Sequence, residues 1–360
     1  MFALAFLALS CLEAPVQNDG ADWMTYNRNY AGDRYSPLSE IDQNNVKQLR
    51  QIAHFDLGSH TNFQSGPIAI DGTVYLSTVT HTYAVDGATG AMKWKHVHPM
   101  AKPGGTGAHR GVAYLDGKIF RGFNDGVVAA LDAQTGKVLW MTVIANPKVG
   151  ESLPMAPIAF DGKVFIGNAG GDMYGVTGRI YGLDANNGHQ VWMFDCVPKS
   201  GNAIKTWPMR NRIPPSGAAT WTSFSLDTEK GILYVPAGNP APDFAPEVRK
   251  GQNLYANCVV ALNPSTGKLI DYIQPVKNDF HDWDVASAPV LIRSKAGRSM
   301  AIIAPKDGLV YGVDRSGVGR SAMAKGMVVR YRTPVTTRMN VNKKFTAKSF
   351  TRFAPGVEGG

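Results

Sequence analysis

Three cysteines in 360 residues, Cys11, Cys196 and Cys258, form no Cys-x-x-Cys pair, which excludes a zinc knuckle and a covalently attached c-type haem. Charge is also scarce, at 18% of residues, a composition of a folded chain and not of a disordered one. After the first ten residues no apolar run approaches the roughly 20 residues that a transmembrane helix needs. Acids are missing altogether between Arg315 and Val357, a tract that holds ten Lys and Arg. This tract alone accounts for the formal charge of +9, because the remainder carries 27 basic against 28 acidic residues. The excess therefore reads as a solvated loop, or second to that as a dock for an acidic partner, and not as a nucleic-acid-binding surface.

Turn-forming residues are abundant by contrast. With 39 glycines, 22 prolines and 10% aromatics, the composition describes short strands joined by tight turns, so an all-β architecture is expected. Residues 1–16 form a signal-like segment: Met1 to Ser10 is an apolar run of the length of a signal h-region, without a basic residue before it. Export to the periplasm is the expectation. Cys11 stands where a lipoprotein cysteine would, but in a poor flanking order. If Cys11 leaves with the signal, Cys196 and Cys258 are available to pair, and sequence leaves that open.

A repeat of about 45 residues organises the chain beyond this segment. Asp86, Gly90 and Trp94 recur at the same spacing as Asp132, Gly136 and Trp140, and as Asp184, Gly188 and Trp192. A fourth copy, Asn263 with Gly267, has Asp271 where the Trp would fall, and a fifth around Asp314 is looser. Upstream of the first three copies lie hairpin turns Asp71-Gly72, Asp116-Gly117 and Asp161-Gly162, flanked by β-branched and aromatic residues. Two hairpins per period predict a four-stranded propeller blade, with each Trp packing between neighbouring blades.

Three further segments, added to this tryptophan-docking repeat, carry a family likeness. They are Trp23 to Leu38 (Trp-Met-Thr-Tyr-Asn-Arg-Asn-Tyr-Ala-Gly-Asp-Arg-Tyr-Ser-Pro-Leu), Gly238-Asn-Pro-Ala-Pro242 and His281-Asp-Trp-Asp284. The chain from about residue 22 to residue 360 resembles the PQQ-dependent (pyrroloquinoline quinone) methanol and ethanol dehydrogenases. The resemblance implies an eight-bladed propeller, of which about five blades are expected here. It also implies oxidation of an alcohol to an aldehyde or ketone by hydride transfer to PQQ, with Ca2+ as Lewis acid. Electrons would then pass to a cytochrome c or a membrane quinone. Thr351 to Gly360 resembles a motif that family members place well before their end, with roughly 150 to 200 residues to follow. On that reading residues 22–360 are a partial domain, inactive alone.

Residue by residue, the resemblance assigns Asp284 as the base that takes the alcohol proton, since an alcohol is a poor hydride donor until deprotonated. Asp172, Asn239 and Asp284 are the implied cation ligands, hard oxygen donors suited to calcium. Lys306 stands beside the quinone carbonyls. Trp221 would form an aromatic floor for the cofactor ring, while Arg110 and Gln64 would reach its carboxylates. Asp172 replaces the usual Glu, and Ala286 stands where lanthanide-using relatives carry an extra Asp. Gly104-Gly105 replaces a cysteine pair, Pro154 a threonine and Ala169 a serine, so the cofactor would lose a lid and two hydrogen bonds. The alternative is a cofactor-free propeller scaffold of the outer-membrane assembly type, which has no reason to keep Asp172, Asn239 and Asp284 together.

Overall fold

The computed structural model describes residues 21–57, 63–100, 107–172, 175–209, 213–319, 326–338 and 341–342. The signal-like segment, Gly104-Gly105 and residues 351–360 lie outside them. Twenty of the described strands form five four-stranded antiparallel sheets, each meandering in chain order, and a two-stranded ribbon joins Ser216–Gly217 to Pro240–Ala241. The expectation of about five blades is met. Blade one runs Ile68–Ile70, Thr73–Ser77, His81–Asp86 and Met92–Val97, and blade two Ala113–Leu115, Lys118–Gly122, Val127–Asp132 and Val138–Val143. Blade three comprises Ile158–Phe160, Lys163–Gly167, Arg179–Asp184 and Gln190–Asp195. Blade four comprises Ser225–Asp227, Ile232–Pro236, Val259–Leu262 and Leu269–Ile273, and blade five Val290–Arg293, Ser299–Ile303, Leu309–Asp314 and Val328–Pro334. Among the described residues no helix is long and apolar enough to cross a membrane.

Local chemistry explains each blade. In the turns at Asp71, Asp116 and Asp161 both the Asp and its Gly take positive φ, the conformation a two-residue hairpin of type I′ requires. In the second kind of turn, Asp86 Oδ1 accepts hydrogen bonds from the backbone of Ala88 and Thr89, and Asp132, Asp184 and Asn263 do the same in their own copies. The third strand of every blade carries a register shift at the same place, from Ala84/Val85 in blade one to Gly312/Val313 in blade five. Middle strands are buried on both sides, as in Lys163–Gly167 and Val259–Leu262, because a neighbouring blade covers each face. Outer strands turn inward only the Trp: Met92–Val97 and Val138–Val143 are otherwise largely exposed.

Those tryptophans link the blades. Trp94 Nε1 donates to Ala133 O at 2.9 Å, Trp140 Nε1 to Ala185 O at 3.0 Å, and Trp192 Nε1 to Pro264 O at 2.8 Å. Each ring lies on the turn glycine of the next blade, so closely that a Cβ on Gly136, Gly188 or Gly267 would fall 2.5–2.6 Å from ring carbons. Asp271 keeps the contact without the ring, its carboxylate accepting from the Met327 amide. A strap from the N-terminal segment ties the arc together. Trp23 pairs with Ala69 of blade one, and Tyr30 Oη donates to Ala159 O of blade three. The Tyr30 carbonyl accepts from Leu226 of blade four and that of Ala31 from Leu291 of blade five.

One expectation is corrected. The basic tract is not simply a solvated loop, because Arg315 is buried against Asp227, and Val328–Pro334 is the outer strand of blade five with Arg330 on Asp314 at 2.8 Å. Cys196 and Cys258 are both buried and both free thiols.

Candidate active site

Antiparallel order decides where loops can meet. In a meandering blade, the connection entering the first strand and the one between the second and third strands share one face, and the two turn motifs lie on the other. Every sequence candidate falls on the first face. Gln64, Arg110, Trp221 and Asp284 precede the first strands of blades one, two, four and five, and Asp172, Asn239 and Lys306 join second to third strands in blades three, four and five.

Asp284 and Asn239, both buried, anchor the centre. The Asn239 amide donates to Asp284 Oδ1 at 2.7 Å, and Lys306 Nζ lies 2.8 Å from Oδ2. The Lys306 amide also donates to the Asp284 carbonyl at 3.0 Å, so the two loops are pinned twice. A Cβ on Gly238 would fall 2.5 Å from Asp284 Oδ1, so only glycine lets that carboxylate approach. Burial pulls the Lys306 pKa down, but the charge and hydrogen bond of Asp284, with Asp282 behind them, outweigh it and hold Lys306 up at about 12.

Two carboxylates that the family motif does not assign join this centre. Asp172, Asp243 and Asp282 each direct an oxygen to within 4.8 Å of the others. Asn239 Nδ2 donates to Asp243 Oδ1 at 2.5 Å, and Lys306 Nζ is 3.3 Å from Asp282 Oδ2. Asp282 Oδ1 is buried without a hydrogen-bond partner among the described residues. Burial, then the charge of Asp172, pushes Asp243 up to about 7; burial, then Asp284, pushes Asp282 up to about 8. At the solvent edge, Asp172 is raised as well, by partial burial and by Asp284, with Lys306 acting against both. Asp282 stands two residues before Asp284, and Asp243 directly follows Pro242. No spacing in the sequence signals that they converge.

Supporting groups hold these loops. Asp279 accepts from the His281 and Trp283 amides at 2.9 and 2.8 Å, shaping the turn in which Asp282 takes φ +61°. Arg249, 2% exposed, donates to the carbonyls of Pro242 at 2.8 Å, Asp243 at 2.7 Å and Asp279 at 2.8 Å, and so binds both acidic loops. Burial depresses its pKa, and Asp279 and Asp243 act against that.

Beside the acidic centre stands Trp221. The Arg110 guanidinium lies 4.6 Å from its ring centroid and Lys306 Nζ 5.7 Å. Burial lowers the Arg110 pKa, and among the described residues no carboxylate pairs with it. Gln64 is exposed, but its segment runs beside that of Arg110: Phe63 pairs with His109, and the Gly66 amide donates to the Arg110 carbonyl at 2.8 Å. Fully buried His109 fixes this junction, Nε2–H donating to Gly122 O at 2.9 Å and Nδ1 accepting from the Ser77 hydroxyl at 2.7 Å. Pro154 contributes only its carbonyl, to the Arg110 amide, and Ala169 only backbone bonds to Ser152. A groove of about 970 Å³ between the outer strands of blades four and five, lined in part by Tyr272, Lys277 and Tyr331, contains none of these groups.

The donor set fits the implied groups. Asp172, Asp243 and Asp282, each with an oxygen within 4.8 Å of the others and beside the Asp284–Lys306 pair, suit a hard cation. A guanidinium over an indole, donating to the Trp221 carbonyl at 3.5 Å and without a carboxylate partner among the described residues, suits a flat, anionic ring.

Comparison with known proteins bears on the same residues. A family model described as glucose/ethanol/alcohol dehydrogenase, beta-propeller domain, under the label PQQ, matches residues 23–319. The quinohemoprotein alcohol dehydrogenase ADH IIB of Pseudomonas putida is 33% identical over 341 residues, which cover 87% of this chain and 49% of that protein. The lanthanide-dependent methanol dehydrogenase of Methylacidiphilum fumariolicum is 31% identical over 77% of this chain and 49% of its own length. Among solved structures, the quinohemoprotein alcohol dehydrogenase of Comamonas testosteroni superimposes with a TM-score of 0.76 at 32% identity, over 85% of this chain and 49% of that one. A europium-containing methanol dehydrogenase reaches a TM-score of 0.79 at 28% identity, over 92% of this chain and 61% of that one. The chain spans about half the length of the curated relatives it matches.

Proposed function

Because this chain belongs to the PQQ family of glucose, ethanol and alcohol dehydrogenase β-propellers, we propose that it oxidises an alcohol to an aldehyde or ketone in the periplasm. The observation that carries the reading is Asp284, buried and held between the Asn239 amide at 2.7 Å and the Lys306 ammonium at 2.8 Å, on the face where Trp221 and Arg110 also converge. PQQ, when bound, supplies the two-electron acceptor, and a hard cation such as calcium polarises its carbonyl.

The residues divide the work. Asp172 and Asn239, beside Asp284, hold the cation. Trp221 offers a face to the cofactor ring, and Arg110 and Gln64 take its carboxylates, the first through a guanidinium that no carboxylate pairs with among the described residues. Lys306 keeps the Asp284 carboxylate oriented and remains protonated throughout the neutral range. Asp284 accepts the alcohol proton as carbon–hydrogen cleavage proceeds. With Pro154 and Ala169 in place of hydroxyl side chains, retention of the cofactor rests on the remaining charged contacts. The electrons leave to a cytochrome c or a membrane quinone.

The test is titration of the full-length parent protein with PQQ and calcium, followed by quinone absorbance and by dye reduction with a primary alcohol. Asp284→Asn should preserve the absorbance change and lower dye reduction by about 10²–10⁴-fold. Undiminished dye reduction in that variant removes Asp284 from the role of base, and absence of any PQQ binding removes the dehydrogenase reading.

A further inference from the structure

Resting on the reading of Asp284 as the base and Lys306 as its partner, we propose that Arg338 is a positioning residue for that pair. It reaches back from the chain beyond blade five and clamps the two loops together through the neighbouring residues Trp283 and Asp307.

The need for a clamp follows from the topology. Asp284 lies in the connection that enters blade five and Lys306 in the one between its second and third strands, so neither belongs to a sheet ladder. Two bonds join them directly: the 2.8 Å contact of their side chains, and the Lys306 amide donating to the Asp284 carbonyl at 3.0 Å. A buried aspartate shapes each loop. Asp279 accepts from the Trp283 amide at 2.8 Å, while Asp307 accepts from the Leu309 amide at 3.0 Å and from the Tyr311 hydroxyl at 2.7 Å, an Asx turn propped from the third strand. These bonds set the form of each loop without tying one loop to the other.

Arg338 supplies the tie. After the outer strand Val328–Pro334 the chain turns back, and the Val335 amide donates to the Gly308 carbonyl at 3.0 Å. The Arg338 guanidinium then donates to the Asp307 carbonyl, with Nη1 4.0 Å from Asp307 Oδ2, and it lies 5.8 Å from the centroid of the Trp283 ring. Trp283 is 7% exposed and stacks on His281 with ring centroids 4.2 Å apart and planes 12° from parallel. One side chain thus touches the residue before Asp284 and the residue after Lys306. Arg315 and Arg330, from the same basic tract, pair instead with Asp227 and Asp314 at the opposite ends of their strands.

The experiment follows amide hydrogen exchange, residue by residue, in the full-length protein without PQQ or added cation. The Lys306 amide reports its bond to the Asp284 carbonyl, and the amides of Ser299–Ile303 report the blade as a whole. Arg338→Ala should lower protection at Lys306 by about tenfold or more and leave the strand unchanged, since a local opening exposes only the amides it uncovers. Arg338→Lys, which keeps the charge and one donor at a time, should recover part of that protection. In the loaded enzyme Arg338→Ala should lower kcat by about 10–10²-fold, with KM changed by less than about threefold and quinone absorbance retained, as when a base is misplaced and not removed. Parental protection at Lys306, protection lost evenly across blade five, or an unchanged kcat beside a loosened Lys306 amide overturns the proposal. If the parent turns over no alcohol, the dehydrogenase reading fails by itself, and exchange still decides whether Arg338 clamps the pair.

Discussion

Replacing Arg249 with Met tests whether one buried cation holds the two acidic loops in place. The guanidinium is 2% exposed and donates to three carbonyls, those of Pro242, Asp243 and Asp279, at 2.7–2.8 Å. Methionine fills much of the volume but satisfies none of them. Each orphaned acceptor costs about 1–3 kcal/mol, while the variant no longer has to bury a charge, which returns several kcal/mol. A net loss of about 2–5 kcal/mol is expected, to be read as a shift in the urea midpoint at constant slope. The cation titration on the same sample should weaken by about tenfold or more, because Asp243 and Asp282 are no longer held in register. Arg249→Lys, which reaches one carbonyl at a time, should fall between the two. If Arg249→Met is destabilised but binds the cation as tightly as the parent, the guanidinium supports the fold without setting the site, and the reasoning fails.

The blade contacts and the acidic centre carry further expectations. Gly136→Ala combines a φ of +70° with a Cβ 2.6 Å from Trp94 Cε3, so it should cost about 1–3 kcal/mol or more, checked by denaturant unfolding; a neutral result would show that Trp94 does not dock on the glycine. Tyr30→Phe removes the 2.7 Å bond to Ala159 O and should cost about 1 kcal/mol in the same assay. Asp243 and Asp282, pushed up to about 7 and about 8, bind more protons in the native chain than in the unfolded one above the ordinary carboxylate range. Cation-free protein should therefore lose stability as pH rises from about 4 to 8, and saturating cation should flatten the trend; a Tm that climbs over that range in chelator contradicts it.

Much of the fold is legible in the primary structure because its repeat is local. Asp86, Gly90 and Trp94 specify a turn and a docking residue within nine consecutive positions, and the copies at Asp132 and Asp184 do so again. Blade five is harder to read. Its outer strand, Val328–Pro334, sits in the basic tract, and an outer strand needs few inward apolar residues, so alternating Arg330 and Arg332 disguise it as loop. The site shows a similar division. Asn239, Asp284 and Lys306 carry recognisable neighbours, and the Asn239 amide and the Lys306 ammonium both contact the Asp284 carboxylate. Asp243 follows the Gly238 to Pro242 motif and Asp282 lies within the His281 to Asp284 motif, but neither is given a role by the resemblance, and their nearness to Asp172 depends on how connections from separate blades lie over one face. Whether Cys196 and Cys258 pair is equally beyond the reach of spacing, and in the fold the two are buried and not bonded to each other.

The strap from Trp23 to Ala31 has a consequence for assembly. Its first partner, Ala69, emerges soon after it, but the Ala31 carbonyl waits for Leu291, far down the chain. The earliest-made piece of the domain is thus among the last to settle, and closing so long a loop carries an entropic cost that slows the final step. Until blade three is made, Tyr30 lacks Ala159 and Phe160, the partners of its hydroxyl and ring, which makes the nascent chain most vulnerable to stray association over that interval.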